Sequence, residues 1–180
     1  EYESMRSETP ECLFHALEQS GNWCLRSGWD RNADYLHFKC GSLGGGHGHF
    51  DKLHVDLSIA GEDVLIDSGR YTYVDGSLRR QLKSSCAHNV PVVDWQEYTQ
   101  CTGSWDVKGR TAPAGQDWSQ KGPYTFLQGT HLGYLPAGVL VNRRIISIGT
   151  RIHVIADEFY GTGTHVLSQV FHLNPAGSVE

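Results

Sequence analysis

The chain has 180 residues, with 15 Lys and Arg against 20 Asp and Glu, a net charge of −5 that leaves ten histidines uncounted. That length suits one domain with a sizeable core. The 21 glycines and 6 prolines fall short of a collagen-like or low-complexity chain, and the acidic balance provides no basic face for nucleic acid. No apolar run approaches the roughly 18 residues of a membrane-spanning helix. The first residues, EYESMRSETP, carry neither an initiator Met nor a signal peptide, so processing or excision from a longer protein is expected.

Taken in chain order, the first signal is helical. Glu11 to Gln19 can make about two turns, stopped by Gly21, as a short lead-in within residues 1–21. Strands follow. Asn22 to Arg26 is one. Asp34 to Cys40 is another, with Tyr35, His37 and Lys39 on one face and Leu36, Phe38 and Cys40 on the other. Lys52 to Ile59 alternates most clearly: Leu53, Val55, Leu57 and Ile59 form a core face, and Lys52, His54, Asp56 and Ser58 a wet or functional one. Residues 60–63 make a turn, and Val64 to Asp67 returns. Arg79, Arg80 and Lys83 read as a solvated helix-like turn, with pairing to an acidic glycan as the other reading. Further strands are expected at Asn89 to Asp94, Ser104 to Arg110, Tyr124 to His131, Gly138 to Ile148, Arg151 to Phe159 and His165 to Leu173, with Gly149-Thr150 as a hairpin turn. This spacing indicates an all-β chain, an antiparallel sandwich or barrel over residues 1–180. Cys12, Cys24, Cys40, Cys86 and Cys101 contain no CxxC pair and read as small hydrophobes. Trp23, Trp29, Trp95, Trp105 and Trp118 read mostly as core or rim residues.

Chemistry concentrates between Gly41 and Asp94. Gly44 to Gly46 put no side chains ahead of His47, which suits either close ligand access to the backbone or a plain flexible connection. His47 and His49 are two apart and point to one side of an extended chain. Asp67 follows the apolar run Val64 to Ile66, where a charge needs a partner, and His88 adds another imidazole. One of the first two histidines with Asp67 and His88 is a zinc-competent set. A regular hairpin centred on Gly61-Glu62 argues against it: Asp67 would face Asp56, and His49 would lie roughly 23 Å away at about 3.3 Å per residue. Asp51 could orient an imidazole or stabilise a turn.

The segments GSLGGGHGHFDKLHVDL, LIDSGRYTY and HNVPVVD resemble the heparinase II/III family of polysaccharide lyases and relatives that cleave alginate, and the similarity runs from about Trp23 to the end. The resemblance implies a C-terminal antiparallel β-sandwich facing an N-terminal α/α-toroid across a cleft, with the toroid outside these residues. It implies a structural zinc on His49, Asp67 and His88, which requires the loop before Lys52 to fold back. His47 would bind or neutralise a uronate carboxylate, and Tyr73 or Arg70 would contribute from the sandwich side. The reaction would be β-elimination on an acidic polysaccharide, with the main tyrosine in the toroid, so that these residues alone show little activity. A periplasmic or secreted compartment goes with it. The alternatives are a non-catalytic carbohydrate-binding or structural sandwich, and a cupin-like metal enzyme, which lacks support because no Glu follows His49 at short spacing.

Overall fold

The computed structural model describes residues 8–44 and 47–176. Five strands form one antiparallel meander: β1 (Phe14–Leu17), β2 (Asn22–Arg26), β3 (Tyr35–Lys39), β4 (His54–Ile59) and β5 (Glu62–Leu65). After one helix, α1 (Ser77–Lys83), come β6 (Pro91–Val93) and the small pair β7 (Gln100–Cys101) and β8 (Val107–Lys108). The second sheet is a four-stranded meander of β9 (Pro113–Lys121), β10 (Tyr124–His131), β11 (Val139–Ile148) and β12 (Ile152–Gly161). The last strand, β13 (Leu167–Gln169), pairs with β6. Every strand pairing among the described residues is antiparallel.

The two large sheets face each other as a β-sandwich. Trp23, Leu36, Phe38 and Val55 of the first pack with Leu127, Val141 and Ile145 of the second in one core. The alternation in β3 explains its side: Leu36 and Phe38 are buried, while His37 and Lys39 turn to the opposite face. Gly129 lets β10 come close, because a Cβ there would meet Cys40 and Leu53 side chains at 2.7–2.8 Å.

Several expectations are corrected. Glu11 to Gln19 holds no helix. Phe14–Leu17 is a strand, because Phe14 enters the core and the segment pairs with β2 in register from Phe14↔Leu25 to Leu17↔Asn22; tertiary burial overrides local propensity. The strands expected at residues 89–94, 104–110 and 165–173 shrink to β6, β8 and β13, because the adjoining backbone is taken up by side-chain and loop hydrogen bonds. The return strand after β4 turns at Ala60-Gly61, with Ile59↔Glu62 paired and a bulge between Leu57 and Ser58. The turn lies one residue earlier than a hairpin centred on Gly61-Glu62, so Asp67 is not set against Asp56. The polar face of β4 is not wet at its start, since Lys52 and His54 are buried. In α1, Arg80 is exposed and paired with Asp75, but Arg79 and Lys83, four apart on one helix face, are buried. Strand β9 was not expected. Its residues are mostly exposed and polar, so no apolar alternation marks it.

One buried cation joins the two sheets. Arg143 on β11 is 0% exposed and makes a two-pronged pair with Asp157 on β12, Nε to Oδ1 and Nη2 to Oδ2 both at 2.7 Å. Its Nη1 donates to the carbonyls of Leu53 at 2.7 Å and Asn89 at 2.6 Å, both in segments outside its own sheet. Leu53 sits at φ 69, a left-handed conformation that costs a branched side chain energy, so this carbonyl bond holds a strained residue at the start of β4. Breaking a buried pair leaves the remaining charge uncompensated. Arg143→Met is therefore expected to lower the unfolding free energy by about 3–5 kcal/mol, and adding Asp157→Leu to recover part of that loss, as measured by urea denaturation of the single and double variants.

Candidate functional site

The residues from Gly41 to Leu53 leave β3 and fold back to the start of β4. The buried Lys52 ammonium donates to the Gly41 carbonyl at 2.6 Å, Leu53 N–H to the Lys39 carbonyl at 2.7 Å, and Phe50 N–H to the Lys83 carbonyl at 3.0 Å. Gly48 allows the return, because a Cβ there would collide with the Leu43 carbonyl. The loop thus brings His47 and His49 over the polar face of the first sheet. Gly45 and Gly46 of the triple glycine lie outside the described residues.

Asp67 arrives where the chain leaves β5, and His88 just ahead of β6. His49, Asp67 and His88 each present one ligand-type atom, all within 4.8 Å of one another. His88 is fully buried. Its Nδ1 lies 2.7 Å from Asp67 Oδ2, so the imidazole donates there, and its Nε2 is buried with no hydrogen-bond partner. A buried imidazole nitrogen without a partner, whose other nitrogen is oriented by a carboxylate, suits a metal ligand. Two imidazoles and one carboxylate suit zinc. Burial would raise the Asp67 carboxyl, but the His88 hydrogen bond and the Gly69 N–H hold it down at about 2. Burial pushes His49 down to about 4, and the nearby Arg79 charge acts the same way. At neutral pH the carboxylate is charged and the His49 imidazole neutral, the forms a metal takes.

Beside this cluster, His47 Nδ1 and the Tyr73 hydroxyl are 3.0 Å apart. Tyr73 also stacks on Trp105 with ring centres 5.3 Å apart, and the Arg70 guanidinium lies 4.0 Å from the Tyr73 ring centre. Trp105 therefore belongs to the site wall, while Trp23 is core. One cavity of about 410 Å³ is lined by His47, His49, Asp67 and Arg70, with His37 and Asp56 of the first sheet among its further walls.

The floor of that cavity is an ordered polar network. Asn89 N–H donates to His54 Nδ1 at 3.0 Å, which leaves His54 Nε2–H to face Asp56 Oδ1 at 2.8 Å, with Asp67 Oδ2 at 3.7 Å. Asp56 is held low: burial opposes, but the hydrogen bonds from His37 and His54 outweigh it. The Asn89 amide donates to Val55 O at 2.8 Å and Ile66 O at 3.1 Å, and its oxygen accepts from His172 N at 2.6 Å. Asn89 is thus the joint that fixes β4, the β5 exit and His88 relative to each other. Sequence reasoning missed it, and the only signal was its position after His88. Arg79 was also read differently: it donates to His49 Nε2 at 2.9 Å. Asp51 orients no imidazole; it pairs with Lys39 at 2.6 Å.

Residues 10–180 match the family described as Heparinase II/III-like, C-terminal. A heparin-sulfate lyase of Pedobacter heparinus is 28% identical over 95 residues, which are 51% of this chain and 14% of that protein. The heparan sulfate lyase HepC mutant of Pedobacter heparinus superposes with a TM-score of 0.78 at 22% identity, covering 96% of this chain and 26% of that one. The heparinase III BT4657 gene product superposes with a TM-score of 0.80 at 18% identity, covering 99% and 27%. The chain thus spans about a quarter or less of the length of these relatives.

Removing the Asn89 amide leaves two carbonyls and one N–H without partners beneath the cluster. Asn89→Ala is expected to cost about 2–4 kcal/mol of stability in urea denaturation, against a change within about 0.5 kcal/mol for an exposed control such as Gln120→Ala.

Proposed function

The chain belongs to the Heparinase II/III-like family, and from that premise we propose that it forms the sandwich wall of a polysaccharide lyase cleft. The substrate is a uronic-acid-containing polysaccharide of the heparan sulfate or alginate type, and the reaction is β-elimination. The observation that carries this reading is the His47–Tyr73 pair at 3.0 Å, whose His47 lines the same cavity as Arg70, His49 and Asp67, with His88 behind the last two. The similarity to a heparin-sulfate lyase supports the substrate class.

Elimination removes the C5 proton of the uronate and breaks the C4–O bond. The electron pair of the C5–H bond becomes the C4=C5 double bond, and the leaving oxygen takes a proton. The developing enolate forms only if the neighbouring carboxylate is neutralised. With the Tyr73 hydroxyl donating to His47 Nδ1, the His47 imidazole keeps its proton on Nε2 and can present it to that carboxylate. Arg70, above the Tyr73 ring, adds a fixed positive charge at the same wall. Tyr73 is a candidate to exchange a proton with the sugar.

His49, Asp67 and His88 are the residues to hold a structural zinc, with the free His88 Nε2 lone pair as the feature that favours it. Bound there, zinc would cross-link the returning loop, the β5 exit and the approach to β6, and add positive charge to the wall. The second wall, in this reading, is an α/α-toroid of the same polypeptide that carries the main tyrosine and its His or Asn partner. The 180 residues alone then have little or no lyase activity.

Two tests follow. Zinc content after dialysis is expected to be one ion per chain, with His49→Ala and Asp67→Ala each losing at least about tenfold in zinc affinity; a wild-type chain that holds no zinc contradicts the assignment. A longer polypeptide joining this chain to its toroid is expected to release unsaturated uronate, followed by ultraviolet absorbance, from heparan sulfate or alginate. His47→Ala should reduce that rate by roughly 10²–10³. Absence of product on every uronate polymer would favour a carbohydrate-binding sandwich instead.

A further inference from the structure

Arg79 carries an unsolved charge. Its side chain is 1% exposed, yet Nε and Nη2 are buried without hydrogen-bond partners. None of the arginine ion pairs among the described residues includes it. A guanidinium cannot give up its proton, and a buried charge without a counter-charge is costly. Its one hydrogen bond runs from Nη1 to His49 Nε2 at 2.9 Å, and the Tyr73 ring centre lies 5.5 Å from its central carbon.

That hydrogen bond conflicts with metal binding whichever nitrogen of His49 is used. If the ion takes Nε2, it takes the lone pair to which Arg79 donates. If the ion takes Nδ1, the neutral imidazole must carry its proton on Nε2, and two N–H groups then face each other. Loading the cluster therefore releases Arg79. The released guanidinium has lost the one acceptor it has among the described residues and sits beside a divalent cation, so both charges call for an anion. His49 lines the cavity of about 410 Å³, which puts the freed Nη1 next to a space that a small oxyanion can enter.

We infer that Arg79 is a metal-linked anion seat: it occupies His49 when the cluster is empty and, once an ion displaces it, binds a carboxylate or similar oxyanion in the cavity. This rests on the zinc reading above. Metal and anion must then bind cooperatively, each tightening the other by the same factor. Arg79 becomes a substrate-positioning residue that a metal-free chain cannot deploy.

The test measures zinc affinity by competition with a chromophoric chelator, for the wild-type chain, Arg79→Met and Arg79→Gln, each alone, with glucuronate and with sulfate. Glucuronate is expected to tighten zinc binding by wild type about fivefold or more. Both variants should bind zinc roughly tenfold tighter without any anion, and glucuronate should no longer help them. A matching gain with sulfate in wild type makes the seat one for oxyanions generally; a gain with glucuronate alone makes it one for carboxylates. Thermal melts without zinc establish that each variant folds, and Gln serves if Met does not. Variants that bind zinc no tighter than wild type, or that respond equally to glucuronate, overturn this inference alone. A wild-type chain that binds no zinc overturns the metal reading and this inference with it.

Discussion

The arrangement depends on a guanidinium buried between two sheets. Arg143 has no water to fall back on, so its donors must find acceptors in the protein. Asp157 takes two of its hydrogen bonds in a fork that fits the planar group. The other two go to the Leu53 and Asn89 carbonyls. Neither carbonyl belongs to a regular ladder at that point, and each lies next to the residues that build the cavity. The core would bring the sheets together without Arg143, as any apolar sandwich does. What the charge adds is position: it ties the second sheet to the two irregular backbone segments that carry the chemistry.

From those two anchors the site follows by short steps. Leu53 is held in a left-handed conformation, which ends the returning loop and starts β4 with His54 pointing into the polar floor. Asn89, held by its carbonyl, spends its N–H on His54 and its amide on the Val55 and Ile66 carbonyls. This fixes where His88 and Asp67 emerge. The last imidazole comes from the other side, on a loop that can return only because Gly48 passes against the Leu43 carbonyl. Three segments distant in sequence thus converge, and each is fixed by backbone bonds rather than by the cluster itself. The backbone that carries the cluster is thus placed before any ligand arrives, a condition for a site that works by electrostatics, while Arg79 holds His49 in the empty site.

Much of the fold was legible where one face of a strand is buried. The alternation in β3 and β4, and the long apolar runs of β11 and β12, follow from period-two burial. The same logic failed where burial did not show in the pattern. Phe14 is the one buried residue of β1, so the segment carries a helical pattern with a strand's fate. Strand β9 is an edge strand that pairs with β10 and faces water along most of its length. The resemblance named His49, Asp67 and His88 and called for a folded-back loop, but the residue pattern alone did not bring them together: their approach depends on the turn at Ala60-Gly61 and on the loop that doubles back, and neither has a sequence period. Arg79 and Lys83 read as solvated because they are cations; α1 turns them inward, toward His49 and the Ser104 carbonyl. Asn89 left no signal, since what makes it central is five partners, from His54 to His172, far from it along the chain.

We propose a zinc ion on the two imidazoles and one carboxylate of His49, Asp67 and His88. The most direct measurement is zinc K-edge absorption spectroscopy on the zinc-loaded 180-residue chain. The account predicts a first shell of nitrogen and oxygen at about 2.0–2.1 Å, with the outer-shell scattering of two imidazole rings, reduced to one ring in His49→Ala. Sulfur at about 2.3 Å, or a shell of light scatterers with no imidazole signature that His49→Ala leaves unchanged, would contradict it.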